Sequence, residues 1–389
     1  MAVDIETDVL IIGAGIQGAG CAQAAAANGY RVLLIEQYSE PAQGTSQRSS
    51  KLVHGGLRYL ETAQFHLVFE SLQERKRLLN NAPKLVKLAP FYIPVYHNTT
   101  RRPWKIWAGL MLYSLFSRRA FRRIPRQEWQ TLDHLKTQNL DAVFCYYDAQ
   151  TDDAKLTRAV LDSAASLDAE IRYNTSFVSA RTQPDHVQVT LNTQGKTVNI
   201  NTATVINAAG PWVNQVAEKF LPDMQRPNVD LVQGAHIEVA GQVTRGMYYL
   251  EAPQDQRAVF IMPWKGRMLI GTTESLYQGD PAKVQPLASE IEYLLAVYNH
   301  YFEKTLSNDD VISSFAGLRV LPVSSDTAFS RPRDTVLITD KQEKPRVVSL
   351  YGGKLTVHRA TAANVMKVLQ HSLPRCKSIA DTRTLRLPN

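Results

Sequence analysis

The chain has 389 residues, of which 44% are hydrophobic and 21% are charged. It is therefore long enough to bury a large core, and we expect two intertwined domains. Its three cysteines, Cys21, Cys145 and Cys376, stand far apart with no CxxC pair, which argues against a disulfide framework, a zinc site and a dithiol centre. The cysteine pattern therefore predicts no metal site and suits a reducing cytoplasm, and the acidic start of the chain shows no export signal.

The formal net charge of +8 is concentrated in one segment, residues 101–126. This segment holds eight of the 44 basic residues and no acid, so 36 basic residues remain to balance the 36 acidic residues. A basic patch of this kind serves nucleic acid or an anionic membrane. The residues between its flanks must decide which.

The first elements form a βαβ pattern that carries a dinucleotide-binding fingerprint. Short apolar runs at 8–12 and 31–36 predict strands on either side of an alanine-rich helix. The motif GAGIQG, with Gly13, Gly15 and Gly18, follows the first strand and opens the helix, and Glu36 ends the second strand. These glycines suit a tight turn against a pyrophosphate, while the acid suits a ribose. The fingerprint alone does not separate NAD from FAD.

The middle of the chain alternates helices with antiparallel strands. We predict helices over 62–81 and 152–167, a strand near Ile171, and strands over 186–191 and 197–206 before a turn at Gly210 and Pro211 that leads into a helix. Residues 229–271 predict a lobe of short strands, followed by a helix over about 287–302. Strands over 335–339 and 346–351 then precede a last helix that Gly352 and Gly353 open.

The basic segment contains a short apolar block, residues 106–117. Twelve residues are too few to span a bilayer, which requires about 20 in a helix. Aromatic residues with arginines at both ends suit a helix that lies in the headgroup region, and the aromatic residues concerned are Trp104, Trp107, Tyr113 and Phe116. The alternative is a buried helix with a solvated basic rim.

Six motifs give the chain a more specific resemblance. They are SSKLVHGGLRYLE at 49–61, INAAGPW at 206–212, IMPW and IGTTE at 261–264 and 270–274, GLR at 317–319, and YGGKLT at 351–356. Together they resemble the FAD-dependent glycerol-3-phosphate dehydrogenases and oxidases along most of the chain. The chain ends soon after the last motif, whereas longer members continue into an α-helical C-terminal domain.

The resemblance implies an α/β fold with a glutathione-reductase-like FAD-binding Rossmann domain, of the D-amino-acid-oxidase subgroup, and an antiparallel β-sheet substrate domain. We assign residues 1–95, 141–228 and 310–389 to the FAD-binding domain, and residues 96–140 and 229–309 to the substrate and membrane-contact domain. The cofactor contacts that we expect are Gly13, Gly15, Ile16, Gln17, Gly18, Glu36, Gln37, Thr45, Ser46, Ser49, Ser50, Lys51, Leu52, His54, Gly55, Gly56, Ala209, Gly210, Trp212, Gly317, Gly353, Lys354, Leu355 and Thr356.

The resemblance also implies a small phosphorylated alcohol, sn-glycerol 3-phosphate, as the substrate. A phosphate dianion leaves water only for several charge-assisted hydrogen bonds. The residues that we expect to bind the substrate are Arg58, Tyr59, Arg319, Arg333 and Lys354. The substrate would lose a hydride to flavin N5 while His236 or His54 takes the hydroxyl proton, or Arg319 stabilises the developing alkoxide.

Reduced flavin needs an electron acceptor, and similar family members are peripheral membrane enzymes that pass electrons to a quinone. We therefore expect a protein on the inner face of the cytoplasmic membrane that meets anionic lipid through residues 101–126. A nucleic-acid partner is not expected, because a long apolar block interrupts the basic stretch. Oxidation of another small 2-hydroxy acid or amine stays open as an alternative, and so does a homodimer.

Overall fold

A computed structural model describes residues 5–60, 63–323 and 335–388. The α-helices in these residues are α1 Ile16–Ala27, α2 Phe65–Asn81, α3 Pro103–Ser117, α4 Asp153–Ala165, α5 Val213–Ala217, α6 Ala288–Tyr301 and α7 His358–Leu369. The strands are β1 Ile5–Ile12, β2 Val32–Ile35, β3 Leu52–Val53, β4 Val86–Tyr96, β5 Arg122–Arg123, β6 Leu140–Thr151, β7 Glu170–Arg172, β8 Thr175–Thr182, β9 Val187–Thr193, β10 Lys196–Asn207, β11 Phe220–Leu221, β12 Val229–Val239, β13 Met247–Glu251, β14 Ala258–Trp264, β15 Arg267–Gly271, β16 Ser275–Tyr277, β17 Val311–Pro322, β18 Val336–Thr339 and β19 Val347–Tyr351.

The first sheet has nine strands and contains the dinucleotide-binding motif. Strand β1 pairs in parallel with β2 on one side and with β10 on the other. Two strands pair with the edge of β10 that faces away from β1. Strand β9 pairs antiparallel with its first half, and β19 pairs in parallel with its end. Helices α1, α4 and α7 cover one face of this sheet, while the other face has its own apolar core. Burial on both faces explains the continuous apolar run of β1.

The second sheet has ten strands in the order β16, β12, β15, β14, β13, β4, β6 and β3, with β17 paired to β12 and β5 paired to β6. Helix α6 packs on one face of it, and α2 and α3 pack on the other. Long antiparallel pairs hold it together, above all β12 with β17 and β4 with β6. No helix in the described part of the chain is long and apolar enough to cross a bilayer.

The predicted elements are mostly confirmed, and the exception is the last helix. Its N-terminus is at His358, not at the glycine pair, because Gly352 and Gly353 have φ angles of +78° and +109°. These values lie in the left-handed region that an α-helix excludes. The glycine pair therefore forms a turn after β19, and the prediction that the last helix begins there was wrong.

The predicted division into domains stays a prediction, and the two sheets divide the chain at other points. Strands β4 and β17 belong to the second sheet, whereas the predicted boundaries assign most of β4 and all of β17 to the FAD-binding domain. Both sheets take strands from several separate parts of the chain, as the predicted crossings between the lobes require.

Candidate active site

A cavity of about 540 Å³ lies between the two sheets. At one end it is lined by the β1–α1 turn and by the end of β2, and at the other by β12, β14 and β17 of the second sheet. Its volume is in the range of ligand-binding clefts. The chain thus places its dinucleotide fingerprint and its substrate motifs in the walls of one continuous space.

The nucleotide end is built by close backbone approaches. Gly13 has a φ of +102°, and a Cβ atom there would lie 2.8 Å from the carbonyl oxygen of Ala208. The carboxylate of Glu36 accepts hydrogen bonds from the backbone N–H of Ala14 at 2.7 Å and of Tyr38 at 3.1 Å. Burial raises the pKa of Glu36, and these N–H groups oppose that shift. The arrangement fixes an acceptor beside the glycine turn, where a ribose would bind.

The start of α1 offers further polar groups to the cavity. The backbone N–H of Ile16 donates to Ser46 Oγ at 2.9 Å, and Gln17 Nε2 donates to the carbonyl oxygen of Lys354 at 3.3 Å. The other amide atom, Gln17 Oε1, is buried and has no hydrogen-bond partner within the described ranges. A bound dinucleotide would satisfy this atom, so the residues present fit a cofactor such as FAD.

His236 lies at the other end of the cavity and is only 2% exposed. Its ring stacks on Phe315, with centroids 5.0 Å apart, and its Nε2 atom lies 2.9 Å from Ser50 Oγ. Burial, followed by the positive charges of Lys51 and Arg319, lowers the pKa of His236 to about 3. The imidazole is therefore neutral at physiological pH.

A cationic cluster shares this end of the cavity. Arg319, on β17, pairs with Glu274 at 3.1 Å. Arg257 lies on the other side of the same glutamate, where its Nη1 atom donates to the Glu274 carbonyl oxygen at 2.8 Å and lies 3.9 Å from the carboxylate. Glu274 thus contacts two guanidinium groups in the cavity wall, that of Arg319 through its carboxylate and that of Arg257 mainly through its carbonyl oxygen.

A third cation comes from the turn after β19. The ammonium group of Lys354 lies 4.2 Å from the ring centroid of Tyr59, and both residues line the cavity. In the same turn Thr356 Oγ1 donates to the carbonyl oxygen of His54 at 3.5 Å. The segments that contain His54 and Lys354 are some three hundred positions apart in the chain. They therefore meet in the wall of the same cavity.

Most of the predicted cofactor residues occur in the cavity wall. Those that line it are Gly13, Gly15, Ile16, Gln17, Glu36, Gln37, Thr45, Ser46, Ser49, Ser50, Leu52, His54, Ala209, Gly210, Trp212, Gly317, Gly353, Lys354, Leu355 and Thr356. Among the predicted substrate and catalytic residues, Tyr59, His236 and Arg319 line it as well. The side chain of Arg58 and the whole of Arg333 lie outside the described residues. The roles of all these residues remain predictions.

Four predicted cofactor residues lie behind the wall: Gly18, Lys51, Gly55 and Gly56. Gly18 serves close packing, since a Cβ atom there would lie 1.9 Å from the Gly13 carbonyl oxygen. The buried ammonium group of Lys51 instead pairs with Asp153 at 2.8 Å. For Gly55, a Cβ atom would meet protein atoms at 2.3 Å, so its lack of a side chain serves close packing.

Sequence reasoning missed Arg257 and Glu274 as members of the cationic cluster. Glu274 ends the IGTTE motif and Arg257 precedes β14, so both were within reach of motif comparison. Their pairing with Arg319 depends on how three separate segments meet, which no local pattern encodes. Phe177, on β8, also lines the cavity and carried no sequence signal.

Comparison with known proteins identifies the class of protein that this cavity defines. A family model described as FAD dependent oxidoreductase matches residues 8–361, so the chain belongs to this family and FAD is its cofactor. A crystal structure of the glycerol-3-phosphate dehydrogenase from Bacillus halodurans complexed with FAD superimposes with a TM-score of 0.78 at 27% identity, and the match covers 99% of this chain and 68% of that one.

Two relatives narrow the resemblance within the family. The D-erythritol 1-phosphate dehydrogenase of Brucella abortus is 38% identical over 95% of this chain and 74% of its own length. The glycerol-3-phosphate dehydrogenase of Pseudomonas aeruginosa is 38% identical over 93% of this chain and 71% of its own length. Both names describe dehydrogenases of small phosphorylated polyols.

Proposed function

We propose that the protein oxidises sn-glycerol 3-phosphate to dihydroxyacetone phosphate. The observation that carries this proposal is the cationic cluster of Arg257, Glu274 and Arg319, which shares the cofactor cavity with His236. The relatives named glycerol-3-phosphate dehydrogenase support the same substrate.

The charge of the cluster suits a phosphate. Among the described residues, the cations Arg257, Arg319 and Lys354 outnumber the carboxylates paired with them, which are Glu274 and, at 3.4 Å from Arg257, Asp255, and this excess of positive charge suits a phosphate anion. The arginines are partly buried, with side-chain exposures of 28% and 27%. Hydrogen bonds to the phosphate are therefore less screened than at an open surface, and they replace part of its hydration.

A flavin bound in the cavity would supply the acceptor for the C2 hydride of the substrate. The chain supplies the proton acceptor, and His236 serves in this role because its imidazole is neutral and buried in the same cavity. A phosphate held by Arg319 offsets one of the positive charges that keep the pKa of His236 low, so substrate binding makes the imidazole a better base. Ser50, 2.9 Å from Nε2, orients the ring.

D-erythritol 1-phosphate is a second candidate substrate. The Brucella abortus relative with this activity in its name is as similar to the chain as the Pseudomonas aeruginosa relative. Both substrates present a phosphate and a secondary hydroxyl, so the same cationic cluster serves either. What distinguishes them is the space beyond the reacting carbon.

The electron acceptor that we propose is a quinone reached at a membrane surface. Helix α3 buries only Leu110 and Tyr113 and leaves apolar side chains in solvent, among them Trp104 at 67% and Leu115 at 69% exposure. Exposed Phe69 of α2 adds to this surface, because its ring lies 6.4 Å from that of Phe116 on α3. An apolar helix flanked by arginines fits the headgroup region of an anionic bilayer.

The test replaces Arg319 with alanine and measures turnover with glycerol 3-phosphate and a dye acceptor. We expect kcat/KM to fall about 10²-fold, because hydrogen bonds to charged groups are worth about 1.5 to 3 kcal/mol each, while FAD remains bound. The matched control is Arg267→Ala. Arg267 lies on β15 and pairs with Glu238 at 3.3 Å, and neither residue lines the cavity. Equal activity of the two variants would remove Arg319 from the site.

A further inference from the structure

A buried polar cluster lies directly behind the cavity wall at Gly55. Asp148 of β6 accepts hydrogen bonds from Arg75 of α2 at 2.6 Å and from the hydroxyl of Tyr113 of α3 at 2.8 Å. The backbone N–H of Gly55 points into the same group and lies 3.1 Å from both Tyr113 Oη and Asp148 Oδ1. All three side chains are at most 4% exposed. Side chains from α2, α3 and β6 thus converge on the backbone N–H group of Gly55.

The segment that contains this peptide is held from two sides. A Cβ atom on Gly55 would lie 2.3 Å from Tyr113 Oη and 2.3 Å from Leu72 Cδ2, so only glycine allows the close approach. On the other side, the preceding residue His54 lines the cavity and accepts a hydrogen bond from Thr356 at 3.5 Å. A shift of the buried cluster would therefore move the cavity wall.

A gain in folding stability is a weak explanation for the presence of such a buried cluster. Removing a carboxylate and a guanidinium from water costs about as much as their attraction returns, and an apolar replacement is often as stable. The hydrogen bonds of such a cluster do fix position, because each partner accepts only a narrow range of distances and angles. Burial and the charge of Asp148 raise the pKa of Tyr113 well above its ordinary value, so its hydroxyl remains a donor.

We propose that Tyr113, Asp148 and Arg75 are positioning residues for the reaction: they hold Gly55, and through it the neighbouring wall residue His54, in place against the bound flavin and substrate. This inference rests on the proposed function for its substrate. The presence of the flavin does not depend on the proposed substrate, because it follows from the family to which the chain belongs.

The test compares Tyr113→Phe with the matched control Tyr96→Phe in the FAD-loaded protein. Tyr96 is also a buried tyrosine, and its hydroxyl donates to the Lys136 carbonyl oxygen at 2.6 Å, but it lies in the apolar core beside α6 and makes no hydrogen bond to the His54–Gly55 segment. Both variants should lose similar thermal stability. Only Tyr113→Phe should shift the visible absorption bands and midpoint potential of the flavin, and lower kcat about three- to tenfold with KM changed less than twofold.

Unshifted flavin bands and an unchanged kcat in Tyr113→Phe would overturn the inference. The flavin measurements need no substrate, so they separate the two proposals: if glycerol 3-phosphate is not oxidised by the parent protein but Tyr113→Phe still shifts the bands, the positioning role stands and the proposed function fails. If Tyr113→Phe does not fold, Arg75→Lys gives the second measurement. It keeps the charge beside Asp148 but changes the geometry, and we expect the same shift; bands identical to the parent would overturn the inference.

Discussion

His236 is the residue whose chemistry depends most on its surroundings. Histidine near a flavin motif was predictable from sequence, whereas its ionisation was not, because it follows from complete burial and from two cations that other segments bring close. The same holds for Glu274, which the motif contains but whose contact with two arginines requires the folded sheet. Local motifs predict which residues line the cavity, and tertiary structure decides their charge.

Replacement of His236 with glutamine should alter how stability depends on pH. In the unfolded chain the imidazole binds a proton below about pH 6.5, while the folded protein excludes that proton until about pH 3. Between these values the unfolded state binds more protons, so stability is lost as pH falls. From pH 8 to pH 5 the parent should lose about 2 kcal/mol more than His236→Gln, measured by chemical denaturation of the FAD-loaded proteins.

His358 is also buried with a lowered pKa, but it is present in both proteins and cancels in the difference. Parallel losses of stability in the two proteins would show that His236 is charged in the fold. If His236 is also the proton acceptor, kcat of the glutamine variant falls at least about 10²-fold without loss of flavin. An unchanged kcat would leave His54 as the candidate.

At the scale of elements, the sequence predicted helices and strands well where one periodic pattern covered the whole element. Helix α3 is the clearest case, since the aromatic block in the basic segment does form a helix, at Pro103–Ser117. The start of α7 was predicted five or six residues too early, because a glycine pair is compatible with both a turn and a helix start. Only the left-handed φ angles of Gly352 and Gly353 distinguish the two.

The exposed side chains of α3 should make the protein bind anionic vesicles. We expect the FAD-loaded protein to co-sediment with vesicles that contain phosphatidylglycerol at low salt, because each cation near such a surface contributes about 1 kcal/mol. The double variant Arg118→Glu with Arg119→Glu should stay in the supernatant. Both residues are exposed at the end of α3.

The control for this experiment is Arg375→Glu with Lys377→Glu, which changes the net charge by the same amount at exposed positions after α7. It should sediment like the parent protein. Equal sedimentation of the two double variants would contradict a specific role for α3, and a parent protein that stays in solution would contradict membrane contact altogether. Because Tyr113 is on the inner face of α3, the proposed membrane surface and the cluster behind Gly55 belong to one helix.

At the scale of the whole molecule, the cavity exists because two sheets assembled from alternating parts of the chain face each other. The crossings were predictable, since no linker separates the lobes in sequence. The strand order was not, because pairing of β10 with three neighbours depends on contacts between residues far apart in the chain. The family match over residues 8–361 confirms FAD as the cofactor for which this cavity is built.

The most direct measurement mixes the purified yellow protein with substrate in the absence of oxygen and records the visible flavin absorbance. The account predicts that glycerol 3-phosphate bleaches the flavin while glycerol, which lacks the phosphate, does not at the same concentration. D-erythritol 1-phosphate in a parallel sample decides between the two phosphorylated candidates. Bleaching by a 2-hydroxy acid or a secondary amine, with no response to either phosphate ester, would contradict the assignment of the cationic cluster.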